Sequence, residues 1–179
     1  MAEAKKCRKE QKTTGSSHIN YLQPRFEFMS LVNKVSLYKQ CVLFVGQRIA
    51  NAQAALDSAT EAGNSEDKSS AGDKHETGRA MAQIDQENAR KQLHEAHELK
   101  NALLKINPEL HSAKAIAGSI VVTDKNTFYI AVAAGKIEID GSTVFVLSPA
   151  SPIGQKLLGL SAGEQMEFNG QVYKIKEVY

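Results

Sequence analysis

With 179 residues the chain has room for one ordinary domain or two small ones, and a formal net charge of +2 argues against both a wholly basic nucleic-acid binder and global disorder. Its two cysteines, Cys7 and Cys41, are far apart and show no metal-ligand spacing, which argues against a secreted disulfide framework. No apolar run approaches the roughly 20 residues of a membrane span, and none follows the basic N-terminus closely enough for a signal peptide, so a cytoplasmic protein is expected.

Residues 1–28 read as a disordered basic leader. Lys5, Lys6, Arg8, Lys9 and Lys12 precede a Thr-Thr-Gly-Ser-Ser run and Pro24, with no helical or strand period that could bury a face.

From Ser30 to Ala62 the apolar pattern is that of a long helix. Val35, Tyr38, Val42, Val45, Ile49, Ala52, Leu56 and Ala59 alternate three and four apart, a heptad seam sustained for more than three repeats. Leu31, Cys41, Leu43 and Phe44 widen the stripe near its start, and towards the far end the seam shrinks to alanine. Cys41 reads as a packed thiol, and Gly63-Asn64 as the stop of the helix. Gly46, inside the helix, has no evident purpose.

Residues 63–79 contain almost nothing apolar and four carboxylates, Glu66, Asp67, Asp73 and Glu76. A polar loop between two long helices is the tip of an antiparallel hairpin. The second helix is expected from about Thr77 to Asn107, where Pro108 ends it. Met81, Ile84, Ala89, Leu93, Ala96, Leu99, Leu103 and Ile106 form its facing stripe. His94 and His97 are three apart, but no thiol or carboxylate cluster completes a metal site, so they read as surface residues. The seam over 29–107 is thus expected to close on itself as a monomeric antiparallel coiled-coil hairpin.

After Pro108 the period becomes strand-like. Ser119–Thr123, Thr127–Val132, Lys136–Ile139, Ser142–Leu147, Glu164–Phe168 and Gln171–Val178 are the predicted strands, with tight turns at Asp140-Gly141 and Asn169-Gly170. Ser151 is placed to cap a short helix that starts at Pro152 and runs through Leu158, burying Ile153, Leu157 and Leu158. The fold class is therefore α+β: the hairpin, then residues 108–179 as a small antiparallel sheet with one short helix. With no Trp and few aromatic residues, that domain has little with which to line a proline pocket.

Ser151-Pro152-Ile153-Gly154, followed by Leu157-Leu158-Gly159 and Gly163-Glu164, resembles the C-terminal signature of the Gre family of bacterial transcript-cleavage factors. At the tip, Gly72-Asp73-Lys74-His75-Glu76 is similar to the family's Gly-Asp-x-x-Glu. The resemblance spans roughly residues 29–179. It implies an FKBP-like C-terminal domain and a coiled coil that enters the secondary channel of bacterial RNA polymerase. Nucleic acid would then be met only through the transcription complex. It further implies that Asp73 and Glu76 act in trans, helping the polymerase hold a second magnesium ion for cleavage of backtracked RNA, and that Ser151, Pro152, Ile153 and Gly154 bind the partner. The protein would then be no enzyme itself, with no cofactor or metal site of its own, because two carboxylates hold free magnesium poorly. Where the family continues Asn-Ala-Glu-Tyr after the second acid, this chain has Thr77-Gly78-Arg79-Ala80, and extra polar residues 64–71 precede Gly72. A modulator that occupies the channel without stimulating cleavage, or a coiled-coil adapter, are the alternative expectations.

Overall fold

The computed structural model describes residues 23–66, 73–139 and 141–179; side chains are described from Lys34 to Ser65 and from Thr77 onward, Asp140 excepted. The order of elements is α1 (Gln23–Glu66), α2 (Asp73–Leu104), β1 (Ile120–Thr123), β2 (Thr127–Ile130), β3 (Gly135–Ile139), β4 (Ser142–Leu147), α3 (Pro152–Leu157), β5 (Gln165–Phe168) and β6 (Gln171–Val178). The architecture is α+β, two long helices followed by a six-stranded sheet and one short helix.

At ~1.5 Å per residue the 44 residues of α1 span about 66 Å and the 32 of α2 about 48 Å. The helices lie against each other in opposite directions: Tyr38 Oη donates to the Leu103 carbonyl near one end, and Gln86 Nε2 to the Ala59 carbonyl near the other. Both helices start before their expected bounds, and α2 ends at Leu104, short of the expected Asn107. The first begins at Gln23, so residues 23–28, assigned from sequence to the leader, are helical, while residues 1–22 lie outside the described part. It also continues through Gly63 to Glu66. Gly63 is a point of close approach: a Cβ there would stand 3.2 Å from Gln86 Nε2 and 3.7 Å from the Ala82 Cβ.

The seam between the helices is partly the expected one. Val45, Ala52 and Ala59 are buried on α1, and Ala89, Ala96 and Leu103 on α2. At the start of α2, however, Met81 and Ile84 are 56% and 52% exposed, and Ala82 is buried in their place with Gln86 half-buried below it. Tight spacing there admits alanine and not methionine or isoleucine, so small side chains take the seam and large ones turn outward. At the other end Val42 faces out and Leu37 and Cys41 face in, because α1 meets the sheet there as well as α2.

The sheet runs β3-β4-β2-β1-β6-β5. It is mixed, which corrects the antiparallel sheet expected from sequence: β2 pairs with β4 in parallel, Phe128 opposite Phe145, while the other neighbours are antiparallel. The physical reason is burial. Strand β4 carries Val144, Val146 and Leu147 and takes an interior position, whereas β3, with exposed Lys136 and Glu138, is left at the edge. Strands β5 and β6 turn about Asn169-Gly170, both at positive φ, as a tight hairpin requires.

Alternation along the strands feeds two cores. On one face, Ile120, Tyr129, Ala131, Val144 and Val146 pack with Leu37, Cys41 and Val45 of α1 and Leu103 of α2. On the other, Val121, Phe128, Ile130, Tyr173 and Ile175 pack with Leu157 of α3. Leu157 is 0% exposed and Leu158 37%, so of the three residues expected to bury, Ile153 and Leu157, one turn apart, carry the apolar face.

Candidate functional site

Two places carry the residues singled out from sequence. The first is the far end of the helix pair. Helix α2 begins at Asp73, so Asp73 and Glu76 occupy its first turn, three apart on one side of the helix axis. Their side chains, that of Glu66, and the whole of residues 67–72 with Asp67 lie outside the described residues. The expected start near Thr77 is four residues late, because the polar run gives no apolar period to mark the first turn.

The second place is the turn that leads into α3. Ser151 is the N-cap: its Oγ accepts from the Gly154 amide at 3.1 Å and donates to the Ser148 carbonyl at 2.6 Å. Pro152 follows at the first helical position, where a missing N–H costs nothing. Gly154 is obligatory, since a Cβ would stand 2.2 Å from the Ser148 carbonyl oxygen. Ser151 and Gly154 are therefore occupied in building the turn. Of the tetrad, Pro152 is exposed and Ile153 half-buried.

Ile153 forms one wall of a shallow depression of about 240 Å³ on the α3 side of the sheet. The other apolar walls are Phe128, Phe145, Phe168 and Tyr173, and three amides, Asn126, Asn169 and Gln171, line its polar part. Phe128 sits between two of the other rings: Phe145 lies 6.1 Å away and tilted, Tyr173 6.0 Å away and edge-on. Lys125 Nζ stands 5.1 Å over the Tyr173 ring at the margin. An uncharged, aromatic floor with amides at its edge suits an apolar side chain on a peptide whose backbone groups the amides can satisfy.

Sequence reasoning expected too few aromatic residues here to line a pocket and so missed this site, because the four that line it are scattered over four strands. A signal was present: Phe128 and Ile130, Phe145 and Leu147, and Tyr173 and Ile175 are each two apart, and so share a face once the strands pair. Short helix α3 covers only part of that face, leaving Phe145 36% exposed.

The remaining candidates are inert or dispersed. Cys41 is fully buried and desolvation pushes its thiol up to about 11, so the reactive thiolate is suppressed. His94 and His97 are both exposed. Among the described residues no group of three or more His, Cys, Asp or Glu is gathered for a metal ion. Among the same residues no helix is long and apolar enough to cross a membrane. Comparison with protein-family models, with curated proteins and with solved structures finds no match to this chain.

Proposed function

We propose that the chain is an RNA-polymerase-binding regulator of transcript elongation of the Gre kind, its helix pair an antiparallel coiled-coil hairpin that enters the secondary channel and its sheet domain an FKBP-like handle that docks outside. The observation that carries this reading is the placement of Asp73 and Glu76 in the first turn of α2, at the end of the helix pair remote from the sheet. A rod of two helices can bring carboxylates to a site that a globular domain cannot enter.

Asp73 and Glu76 would there offer hard oxygen ligands to the polymerase's second magnesium ion, the donor chemistry that ion requires. The chain itself contributes position and negative charge, and the polymerase the remaining ligands. The depression beside Ile153 is the docking surface of the handle in this reading.

A modulator that fills the channel without stimulating cleavage is the second reading, favoured by Thr77-Gly78-Arg79-Ala80 after Glu76 in place of the family's Asn-Ala-Glu-Tyr. An adapter that dimerises through the α1 seam is disfavoured, because that seam is already covered by α2. The test is capture of core bacterial RNA polymerase by the purified chain, followed by a cleavage assay on a stalled, backtracked complex. Binding with shortened RNA supports the cleavage reading, and binding without it the modulator. No binding overturns both.

A further inference from the structure

We infer that the groove beside the inner seam of the arm is a docking site for a helix of another protein, apolar along one face and acidic at its flanks. The groove encloses about 250 Å³ between α1 and α2, with Val42, Gly46 and Ile49 on one wall and Lys100 and Leu104 on the other. At ~1.5 Å per residue the stretch from Tyr38 to Ile49 is about 17 Å long, three turns of helix. Its apolar walls are open, Val42 being 46% exposed and Leu104 67%. The Tyr38 hydroxyl is already committed to the Leu103 carbonyl, so the groove offers an occupant apolar contact and not a hydrogen bond.

Gly46 points to close approach. A glycine within a helix weakens it, and here the fold takes nothing in return: a Cβ at Gly46 would meet nothing within 4 Å, unlike Gly63, where α2 comes into contact. What the missing side chain leaves is room in the groove wall, where another backbone can come near. A third helix laid against the pair uses such room, its apolar side chains three and four apart entering between α1 and α2.

Charge selects the occupant. Between Ser30 and Leu56, α1 has no acid and carries Lys34, Lys39 and Arg48. Exposed Lys39, one turn from Val42, flanks one side of the groove and Lys100 the other, and among the described residues neither pairs with a carboxylate. A second copy seated by twofold symmetry would set lysine against lysine. Residues 1–22, with Lys5, Lys6, Arg8, Lys9 and Lys12 against Glu3 and Glu10, are repelled in the same way. The walls are mostly aliphatic, without an exposed ring on which bases could stack, so nucleic acid is a poorer fit. An apolar helix face flanked by carboxylates satisfies both the walls and the lysines.

The probe is a stapled helix of about 14 residues, long enough to fill the groove, with leucines three and four apart and glutamates on both flanks. It is titrated into the whole chain beside a counterpart that carries lysines in place of the glutamates. The glutamate helix should bind, moving the amide signal of Gly46 and the methyl signals of Val42 and Leu104, and the lysine helix should bind ~tenfold more weakly or worse. Gly46→Leu fills the groove without touching the core, so it should melt no lower than the native chain and lose binding. Lys39→Glu with Lys100→Glu should reverse the preference between the two helices. No binding of the glutamate helix, binding unaffected by Gly46→Leu, or a preference that survives the double charge change each overturns the inference. So does a native chain that sediments as a dimer and becomes a monomer on Gly46→Leu, or one that binds phosphatidylserine vesicles through Gly46 but not the helix. The inference does not rest on the polymerase reading and none of these readouts uses polymerase, so the two can fail separately.

Discussion

From Ala52 to Gly63 on α1, and from Ala82 to Ala96 on α2, the long helices meet through alanine and glycine, with Leu56, Gln86 and Leu93 half-buried between. Nearer the sheet the same helices meet through Leu37, Cys41, Val45 and Leu103, with Ile106 just beyond α2, in a core shared with Tyr129, Val144 and Val146. Alanine removes little apolar surface per residue, so the outer arm gains little from burial at ~25 cal/mol per Å². What it gains is thinness, since small seam residues let two backbones approach closely. The inner region gains stability and anchors the rod. A slender arm on a well-packed base is what reaching into a narrow space requires.

The contrast can be tested in order of expected size. In the base, Leu157→Ala should cost about 2–5 kcal/mol of unfolding free energy in a urea titration, because it empties a fully buried site. Leu158→Ala, next to it and partly exposed, should change stability by no more than ~0.5 kcal/mol. Equal effects would mean that α3 does not pack as described.

Alkaline pH attacks the core where the arm joins the sheet. The Cys41 thiol is raised from 9.0 to about 11 by burial, and Tyr129 is shifted upward from 10.0 chiefly by desolvation. In both cases the unfolded chain releases its proton first, so each contribution is lost as pH rises: that of Cys41 from about pH 9 towards 11, that of Tyr129 from about pH 10 upward. The Cys41 share is at most about 3 kcal/mol. Cys41→Val should flatten the pH dependence, most visibly between those limits, and an unaltered profile would contradict it.

In the arm, size matters in the opposite sense. Ala89→Leu inserts volume into a closed seam and should destabilise by about 1–3 kcal/mol, read as loss of helix on mild heating while the sheet's amide signals persist. The glycines give the smallest and sharpest comparison. A Cβ on Gly46 would meet nothing within 4 Å, so Gly46→Ala should stabilise by roughly 0.5–1 kcal/mol. Gly63→Ala must displace Gln86 and should gain less or lose.

Much of this was legible in the sequence, for stated reasons. The strand bounds are met to within one residue except at the end of β2, because β-branched runs and Asn-Gly turns act locally. The Ser151 cap and the Pro152 start are likewise local. The parallel pairing of β2 with β4 was not legible, since it depends on which strand is greasier and not on adjacency in the chain. Nor was the exchange of Met81 and Ile84 for Ala82 and Gln86, which is set by the distance between backbones and reverses the usual preference for the larger apolar residue. The aromatic depression awaited the pairing of strands that lie up to 45 residues apart, from Phe128 to Tyr173.

The proposed role of the arm is tested most directly on the polymerase itself. Replacing Asp73 with Asn and Glu76 with Gln keeps size and polarity at the start of α2 and removes both charges. The doubly substituted protein should bind core RNA polymerase as tightly as before, since the shaft and the handle are untouched. Cleavage of backtracked RNA, where the native chain supports it, should fall by roughly 10²-fold or more, as on loss of a charge-stabilising group. The same change at Glu66 and Asp67 should be milder. Lost binding, or greater damage from the Glu66 and Asp67 pair, would contradict the assignment of these two acids.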